Sequence, residues 1–329
     1  MPLPTTKLGA NGPEVTVLGY GAMGVSAFYG SHLGDTEAFA IFDKLVELGI
    51  TFLDTARVYN DNEEVIGRWF KKSGKRDQVF LCSKFGFNMK LGGLDSSPEY
   101  IKVSLEESLA RLGVDSIDLF YQHRMDPKVP IETVMQTLAG FVQEGKIKYI
   151  GLSECSADTL RRACKIHPVT AVQIEYSPFS VEAEQNGLFD ACKELGVGVV
   201  AYSPLSRGML TGTVTKLSDF APDDWRLTNP RFSAENFPKN LALVDGIKQI
   251  ADSKGVTPGQ LTLAWIISQG YVPIPGTTKI ERLVENAGAA TIILTEEEKV
   301  AIRKFVDAAK VSGDRYSDTS ALYADTPSL

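Results

Sequence analysis

The sequence predicts a (β/α)8 barrel, and three features of the chain carry that prediction. Five stretches repeat one order of amphipathic helix, glycine and short apolar strand: "IFDKLVELGITFLDTA", "SLEESLARLGVDSIDLFYQH", "LAGFVQEGKIKYIGLS", "LFDACKELGVGVVAYSP" and "WIISQGYVPIPG". Most strand candidates are continuously apolar instead of alternating, as expected of parallel strands covered on both faces. Eight strands separated by helices fit 329 residues as one closed parallel sheet, a little above the usual barrel length.

Taken in order, the elements begin with a small hairpin. "KLGANGPEV", starting at Lys7, carries turn residues between short extended runs and is expected to cap the barrel bottom. The first barrel strand is expected in "VTVLG" around Val17, and the others in "TFLDT", "VFLCSK", "IDLFYQH", "KYIGLS", "AVQIEY", "GVVAYS" and "YVPIP". Gly49, Gly113, Gly145, Gly196 and Gly270 stand where helices would end in a left-handed cap. Thr257 with Gln260, Thr278 with Glu281, and Thr295 with Glu298 each fit a capping box, and Ser97-Pro98 fits an N-cap with proline at N1. Residues 204–239 are rich in Pro, Asn and Asp, which predicts a long functional loop after strand 7, with 207–239 expected to cover cofactor and substrate. The expected organisation is a single barrel domain over 1–329, with a core of about 7–307 and a C-terminal tail from 308 to 329.

An open doubly wound sheet is the alternative arrangement of the alternating units, and Gly19, Gly21 and Gly24 spell G-x-G-x-x-G after an apolar run, as a dinucleotide-binding fingerprint begins. That motif needs a helix opening at its third glycine and an acidic residue about 20 positions later. "VSAFYGSHLGD" follows instead, without 3.6-residue periodicity, so no helix is expected before Asp35 or Thr36. The glycines are then read as places where the backbone turns tightly and a ligand can approach.

Composition excludes several classes. A net charge of -7 without a basic block argues against nucleic acid as a partner. No apolar run reaches the roughly 18 residues of a membrane span, and "MPLPTTKLGA" lacks a signal peptide's apolar core, so the expected location is cytoplasmic. Cys82, Cys155, Cys164 and Cys192 have no C-x-x-C spacing, and His32, His123 and His167 have no zinc-ligand spacing, so free thiols and no metal are expected.

In a parallel barrel, chemistry gathers at the C-terminal ends of strands. Those ends read Asp54, with Tyr59 on the following loop, then Lys84, then His123. Each has an ordinary structural explanation alone; four at consecutive strand ends form a constellation.

Seven fragments, "FLDTARVYNDNEEVIGRWF", "CSKFGF", "SLARLGVDSIDLFYQHR", "EGKIKYIGLSE", "AVQIEYSP", "GVVAYSPLSRGMLTG" and "VPIPGTTKIERLVENAGA", together resemble the aldo-keto reductase superfamily from about 7 to 307. Within it they look most like the pyridoxal reductase and aryl-aldehyde reductase branch. The resemblance implies a TIM-type barrel that binds NADP(H) in extended form and a catalytic tetrad of Asp54, Tyr59, Lys84 and His123. It implies NADPH-dependent reduction of aldehydes or ketones, reversibly, with the proton from Tyr59. Lys84 would favour the phenolate and lower the Tyr59 pKa, Asp54 would position Lys84, and His123 would orient the substrate oxygen.

The same resemblance implies cofactor contacts. Gly21, Ala22, Met23 and Asp54 would border the cofactor, Ser153 and Gln173 would meet the nicotinamide amide, and Tyr202 would stack on its ring. Ser203, Pro204, Leu205, Arg207 and Gly208 would surround the pyrophosphate. Gly276, Thr277, Lys279, Arg282, Glu285 and Asn286 would take the adenosine end, with Lys279 and Arg282 reading the 2'-phosphate while Glu281 is committed to a cap. Glu154 departs from the asparagine many members carry. Phe28, Tyr29, Phe87, Met89, Met125 and Trp225 would make a pocket for a small aromatic or apolar carbonyl or alcohol. The competing function is an NADP-binding regulatory protein like a channel β subunit, with little turnover.

Overall fold

The computed structural model describes residues 3–27 and 32–329. In chain order its elements are β1 (Thr5–Lys7), β2 (Glu14–Thr16), β3 (Tyr20–Gly21), α1 (Asp35–Leu48), β4 (Phe52–Asp54) and α2 (Asn62–Ser73). There follow β5 (Phe80–Phe85), β6 (Phe87–Asn88), β7 (Gly93–Leu94), α3 (Pro98–Leu112), β8 (Ile117–Gln122), α4 (Ile131–Gln143), β9 (Ile147–Ser153) and α5 (Ala157–Ile166). The chain completes with β10 (Ala171–Glu175), α6 (Leu188–Leu195), β11 (Gly198–Tyr202), α7 (Phe237–Lys254), α8 (Pro258–Ser268), β12 (Val272–Pro273), α9 (Ile280–Gly288) and α10 (Glu296–Ala308).

Eight strands, β3, β4, β5, β8, β9, β10, β11 and β12, pair in parallel in that order. Gly19 N donates to Pro273 O at 2.9 Å and Gly21 N to Pro275 O at 3.4 Å, bringing the last strand against the first in a nearly closed barrel. The predicted barrel is therefore observed. Two apolar layers hold it. Phe52, Cys82, Leu119, Tyr121, Ala171, Val200 and Val272 fill the interior, and a larger layer packs between strands and outer helices.

The hairpin β1–β2 closes the bottom as expected, delivering Leu8 and Val15 into the interior layer. Ala10 N donates to Gly196 O at 2.7 Å, which ties the hairpin turn to the start of β11. The first barrel strand differs from the expectation: Val15 and Thr16 of "VTVLG" pair in the hairpin, and the barrel strand is Tyr20–Gly21. β-branched residues suit either strand, so the pairing partner decided the register, not propensity.

The five predicted cap glycines all have left-handed backbone. Thr257 and Thr295 form their capping boxes, and Ser97 accepts from Tyr100 N ahead of Pro98. The third box does not form. α9 begins one residue later than its pattern suggested, its N-cap is Lys279, and Lys279 N donates to Thr277 Oγ1 at 3.1 Å, so Glu281 is not bound in a cap. The long loop is present after β11 as short 3-10 turns, but it ends at Asn236, because Pro238 lies in the first turn of α7, where a missing N–H costs nothing. Cys82, Cys155 and Cys192 are buried free thiols, and Cys164 is free and half-buried.

Gly151 on β9 marks the tightest approach inside the barrel: a Cβ there would stand 2.3 Å from Cδ1 of Tyr121 on β8. Gly151→Ala is expected to destabilise the fold by about 1–3 kcal/mol through overpacking. A lowered urea midpoint with an unchanged slope would register it.

Candidate active site

The C-terminal mouth of the barrel collects Asp54, Lys84 and His123 from the ends of β4, β5 and β8, with Tyr59 on the loop after β4. That loop is held from several sides. Ser26 Oγ donates to Tyr59 O at 2.8 Å, Asn60 Nδ2 to Ser26 O at 2.7 Å, and Asn62 Nδ2 to Ala22 O at 2.9 Å.

The Lys84 side chain is 0% exposed. Its ammonium donates to Asp54 Oδ1 and, at 2.8 Å, to Thr55 O, and lies 5.3 Å from the centre of the Tyr59 ring. Gln173 Nε2 donates to the other Asp54 oxygen at 2.8 Å. His123 and Tyr59 meet edge to face at 5.8 Å, and Phe87 closes the other side of the imidazole at 5.1 Å. All four predicted residues therefore stand together.

Burial alone would depress the Lys84 ammonium, but Asp54 and Tyr59 outweigh it and raise its pKa. Burial raises the Tyr59 phenol above its ordinary 10.0 while Lys84 pulls it down. Lys84 thus acts in the expected direction, but the net shift is upward, so the expected lowering is not realised. The phenol remains a proton carrier at neutral pH. Burial, then the charges of Arg124 and Lys84, hold the His123 imidazole well below its ordinary 6.5, so the ring is neutral.

The residues expected to meet the cofactor lie at strand ends, on the path after β11 and on α9. Ser153 ends β9 and Gln173 lies in β10, both buried, while Tyr202 ends β11 half-buried. Beyond Tyr202, Ser203, Ser206 and Arg207 have φ values of 47°, 48° and 55°, a left-handed path that non-glycine residues adopt only under constraint. Pro204 is buried, and Gly208 continues the path at φ 99°. The Arg207 guanidinium reaches Glu175 at 3.3 Å and lies over the rings of Trp225 and Tyr316. Gly21 and Gly276 approach each other at the barrel seam, where a Cβ on Gly276 would stand 2.7 Å from Gly21 O. Ala22 and Met23 follow in a 3-10 turn. Lys279 and Arg282 are exposed at the start of α9 and Asn286 is buried; Glu285 accepts from Thr257 Oγ1 at 2.6 Å, fastening α9 to α8.

Of the expected aromatic pocket, Phe87 is beside His123 and Trp225 is half-buried under Arg207, whereas Met89 is 74% exposed. Met125 is 1% exposed and packs in the outer core between strands and helices, so it is not available to line an open pocket. Phe28 and Tyr29 lie outside the described residues.

Residues 17–307 match the Aldo/keto reductase family. The chain belongs to that family. It is 49% identical to aldo-keto reductase str7 of Strobilurus tenacellus and 45% identical to aldo-keto reductase yakc [NADP(+)] of Schizosaccharomyces pombe, each over 100% of this chain and 99% of the relative. Among solved structures, a glycerol dehydrogenase of Gluconobacter oxydans superposes with a TM-score of 0.84 at 25% identity, covering 94% of this chain and 97% of that one. A thermostable aldo-keto reductase, Tm1743, crystallised with the inhibitor epalrestat, gives 0.75 at 28% identity, covering 92% and 100%. The chain is thus an oxidoreductase of a family that uses NADP(H) and acts on small carbonyl substrates. No helix among the described residues is long and apolar enough to cross a membrane.

Arg124 as a residue, and the partners of Gln173 and Glu154, were not anticipated from the sequence of this family member. Arg124, next to His123 in "QHR", donates to Ser153 Oγ at 3.3 Å and His123 O at 2.7 Å. Gln173 binds Asp54, and Glu154 pairs with Arg315 of the C-terminal segment. Adjacency to His123 was the available signal for Arg124; no local pattern marks Arg315. Because Arg124 helps depress His123, Arg124→Leu should move the imidazole midpoint upward in an NMR titration, from a wild-type midpoint below 6.5. An unchanged midpoint would remove Arg124 from that role.

Proposed function

We propose that this chain reduces small aldehydes or ketones with NADPH, and oxidises the corresponding alcohols in reverse, with Asp54, Tyr59, Lys84 and His123 as the catalytic tetrad. The observation that carries the reading is the fully buried Lys84 ammonium, bound to Asp54 and set 5.3 Å from the Tyr59 ring beside a neutral His123.

The donor set at the mouth suits a nicotinamide dinucleotide. Ser153 Oγ can donate to or accept from a carboxamide, Gln173 keeps Oε1 free of its bond to Asp54, and Tyr202 offers a ring face. The constrained backbone from Ser203 to Gly208 suits a pyrophosphate, with Gly21, Ala22 and Met23 alongside. When bound, the reduced nicotinamide supplies the hydride. The protein's part is to hold the carbonyl oxygen between the His123 imidazole and the Tyr59 hydroxyl, and to hand over the phenolic proton as negative charge develops there. Lys84 stabilises the phenolate left behind, and Asp54, fixed by Gln173, keeps the ammonium charged and in place. The substrate preference proposed is aromatic or apolar, supported by Phe87 beside the imidazole. Turnover of NADPH with a simple aromatic aldehyde distinguishes this activity from a cofactor-bearing regulatory role.

The adenosine end is proposed at α9. Its Lys279 N-cap makes no side-chain bond, leaving first-turn N–H groups for an anion, with Lys279, Arg282 and the Thr277 hydroxyl nearby. Glu281, uncapped, shares that turn and offsets part of the positive charge. Gly276 precedes it, and Glu285 and Asn286 complete the proposed contacts.

Tyr59→Phe should retain NADPH binding and lose about 10²- to 10⁴-fold in kcat, since only the proton donor goes. Near wild-type turnover would end the tetrad assignment. For the reductive kcat, the upward shift of Tyr59 keeps the donor protonated through neutral pH, so the rate should fall only above the ordinary 10.0, while oxidation should rise with pH. Lys279→Ala with Arg282→Ala should weaken NADPH by about 1.5–3 kcal/mol per charge-assisted contact and barely change NADH. Equal losses in titrations with the two cofactors would rule out a 2'-phosphate site at this helix.

A further inference from the structure

Beside the tetrad, the barrel mouth holds a second buried set of charges. Glu154 has no exposed surface and sits in left-handed backbone at φ 57°. Arg315, 3% exposed, meets it with both terminal nitrogens, Nη1 to Oε1 and Nη2 to Oε2, each at 3.0 Å. Oε1 also accepts from the Tyr202 hydroxyl at 2.8 Å and from Glu175 N at 3.2 Å. One carboxylate thus joins a guanidinium of the C-terminal segment to the phenol at the end of β11.

The segment carrying Arg315 is stitched down on both sides. Asn229 Nδ2 donates to Arg315 O, Arg231 Nε to Gly313 O at 3.3 Å, and Asn240 Nδ2 to Ser312 O at 3.0 Å. Farther on, Ala324 N donates to Glu154 O at 3.0 Å, Ser156 N to Ala324 O at 3.1 Å, and Arg162 Nη1 to Thr326 O at 2.8 Å. Residues 312–326 are therefore fastened at several points, with the Arg315 side chain of that segment buried.

We propose that Arg315 is a positioning residue for the nicotinamide half of the cofactor, acting through Glu154 and the Tyr202 hydroxyl to fix the plane of the Tyr202 ring. The inference rests on the reading that Tyr202 faces the nicotinamide. Its physical basis is that an anionic acceptor holds a phenol more firmly than a neutral one, and a buried carboxylate stays anionic only with a well-aligned cation. The guanidinium fork meets both carboxylate oxygens at once and fixes the orientation of the whole group. A second guanidinium, that of Arg124, has its Nη2 3.5 Å from the same phenol oxygen. Without Arg315, Glu154 would be drawn toward Arg124, and the ring with it.

The test compares NADPH with 2',5'-ADP, which has the phosphorylated adenosine but no nicotinamide. Binding is followed by tryptophan fluorescence in wild type, Arg315→Met, Arg315→Lys, Tyr202→Phe, and the double variants Arg315→Met/Tyr202→Phe and Glu154→Gln/Arg315→Met. Arg315→Met should raise the Kd of NADPH about tenfold and leave that of 2',5'-ADP unchanged. Arg315→Lys, which keeps charge without the fork, should recover only part of the loss. Adding Tyr202→Phe to Arg315→Met should cost little further, because the effect of Arg315 passes through the Tyr202 hydroxyl, whose remaining contacts, to Arg124 and Tyr316, are long at 3.5 and 3.4 Å. If Arg315→Met fails to fold, Glu154→Gln/Arg315→Met removes both buried charges and should show the same selective loss of NADPH. Equal weakening of both ligands, no weakening in a folded variant, or losses that multiply in the Arg315→Met/Tyr202→Phe variant would overturn the proposal. A wild type whose NADPH affinity does not exceed that for 2',5'-ADP would instead count against the reading of Tyr202 itself.

Discussion

An ammonium group with no solvent contact is the constraint on which the mouth of this barrel depends. Lys84 points into a parallel sheet from the end of β5, and leaving it charged there requires a carboxylate at hydrogen-bonding distance. Asp54 meets that requirement only because β4 and β5 are neighbours in register, with Asp54 opposite Cys82 and Lys84 two residues farther along. Gln173 reaches across the barrel from β10 to complete the Asp54 carboxylate. Removing one member of such a pair leaves an uncompensated buried charge, a loss of about 3–5 kcal/mol in typical proteins. Strand register, ion pair and the environment of Tyr59 are consequently one structural fact.

The two ends of the barrel handle burial in opposite ways. At the bottom, the hairpin supplies Leu8 and Val15, and apolar side chains fill the interior behind them. At the top, charges are taken inside and paired: Lys84 with Asp54, Glu154 with Arg315, and Glu175 with Arg207 and Arg231. The apolar end contributes stability without directionality, whereas the charged end fixes orientations, since each carboxylate accepts from donors on several different elements. The C-terminal segment belongs to this second end by its contacts, although its sequence has no helical or strand periodicity.

Electrostatics and desolvation compete at Tyr59. A lysine beside a phenol is expected to favour the phenolate, and Lys84 does pull in that direction. Enclosing the phenol among Lys84, His123 and the surrounding walls penalises the anion more, so the proton is retained. The same enclosure, with Arg124 and Lys84, keeps His123 neutral and able to share a proton without carrying a charge. A donor that keeps its proton and a neutral imidazole beside it suit reduction at neutral pH.

Local pattern determined much of this protein. Helix–glycine–strand repeats specified the alternation, glycines and capping threonines set most helix ends, and polar residues closing apolar runs named Asp54, Lys84 and His123, with Tyr59 on the adjoining loop. These signals are local because backbone geometry and capping act within a few residues. Tertiary structure decided what depends on distant partners. It assigned Val15 and Thr16 to the hairpin instead of the barrel, left Glu281 outside a cap, turned Met125 into the core, and brought Arg315 to Glu154 across 161 positions of chain. No sequence period connects those residues, because a buried carboxylate selects its cation by proximity in the folded chain, and that proximity exists only once the barrel has closed.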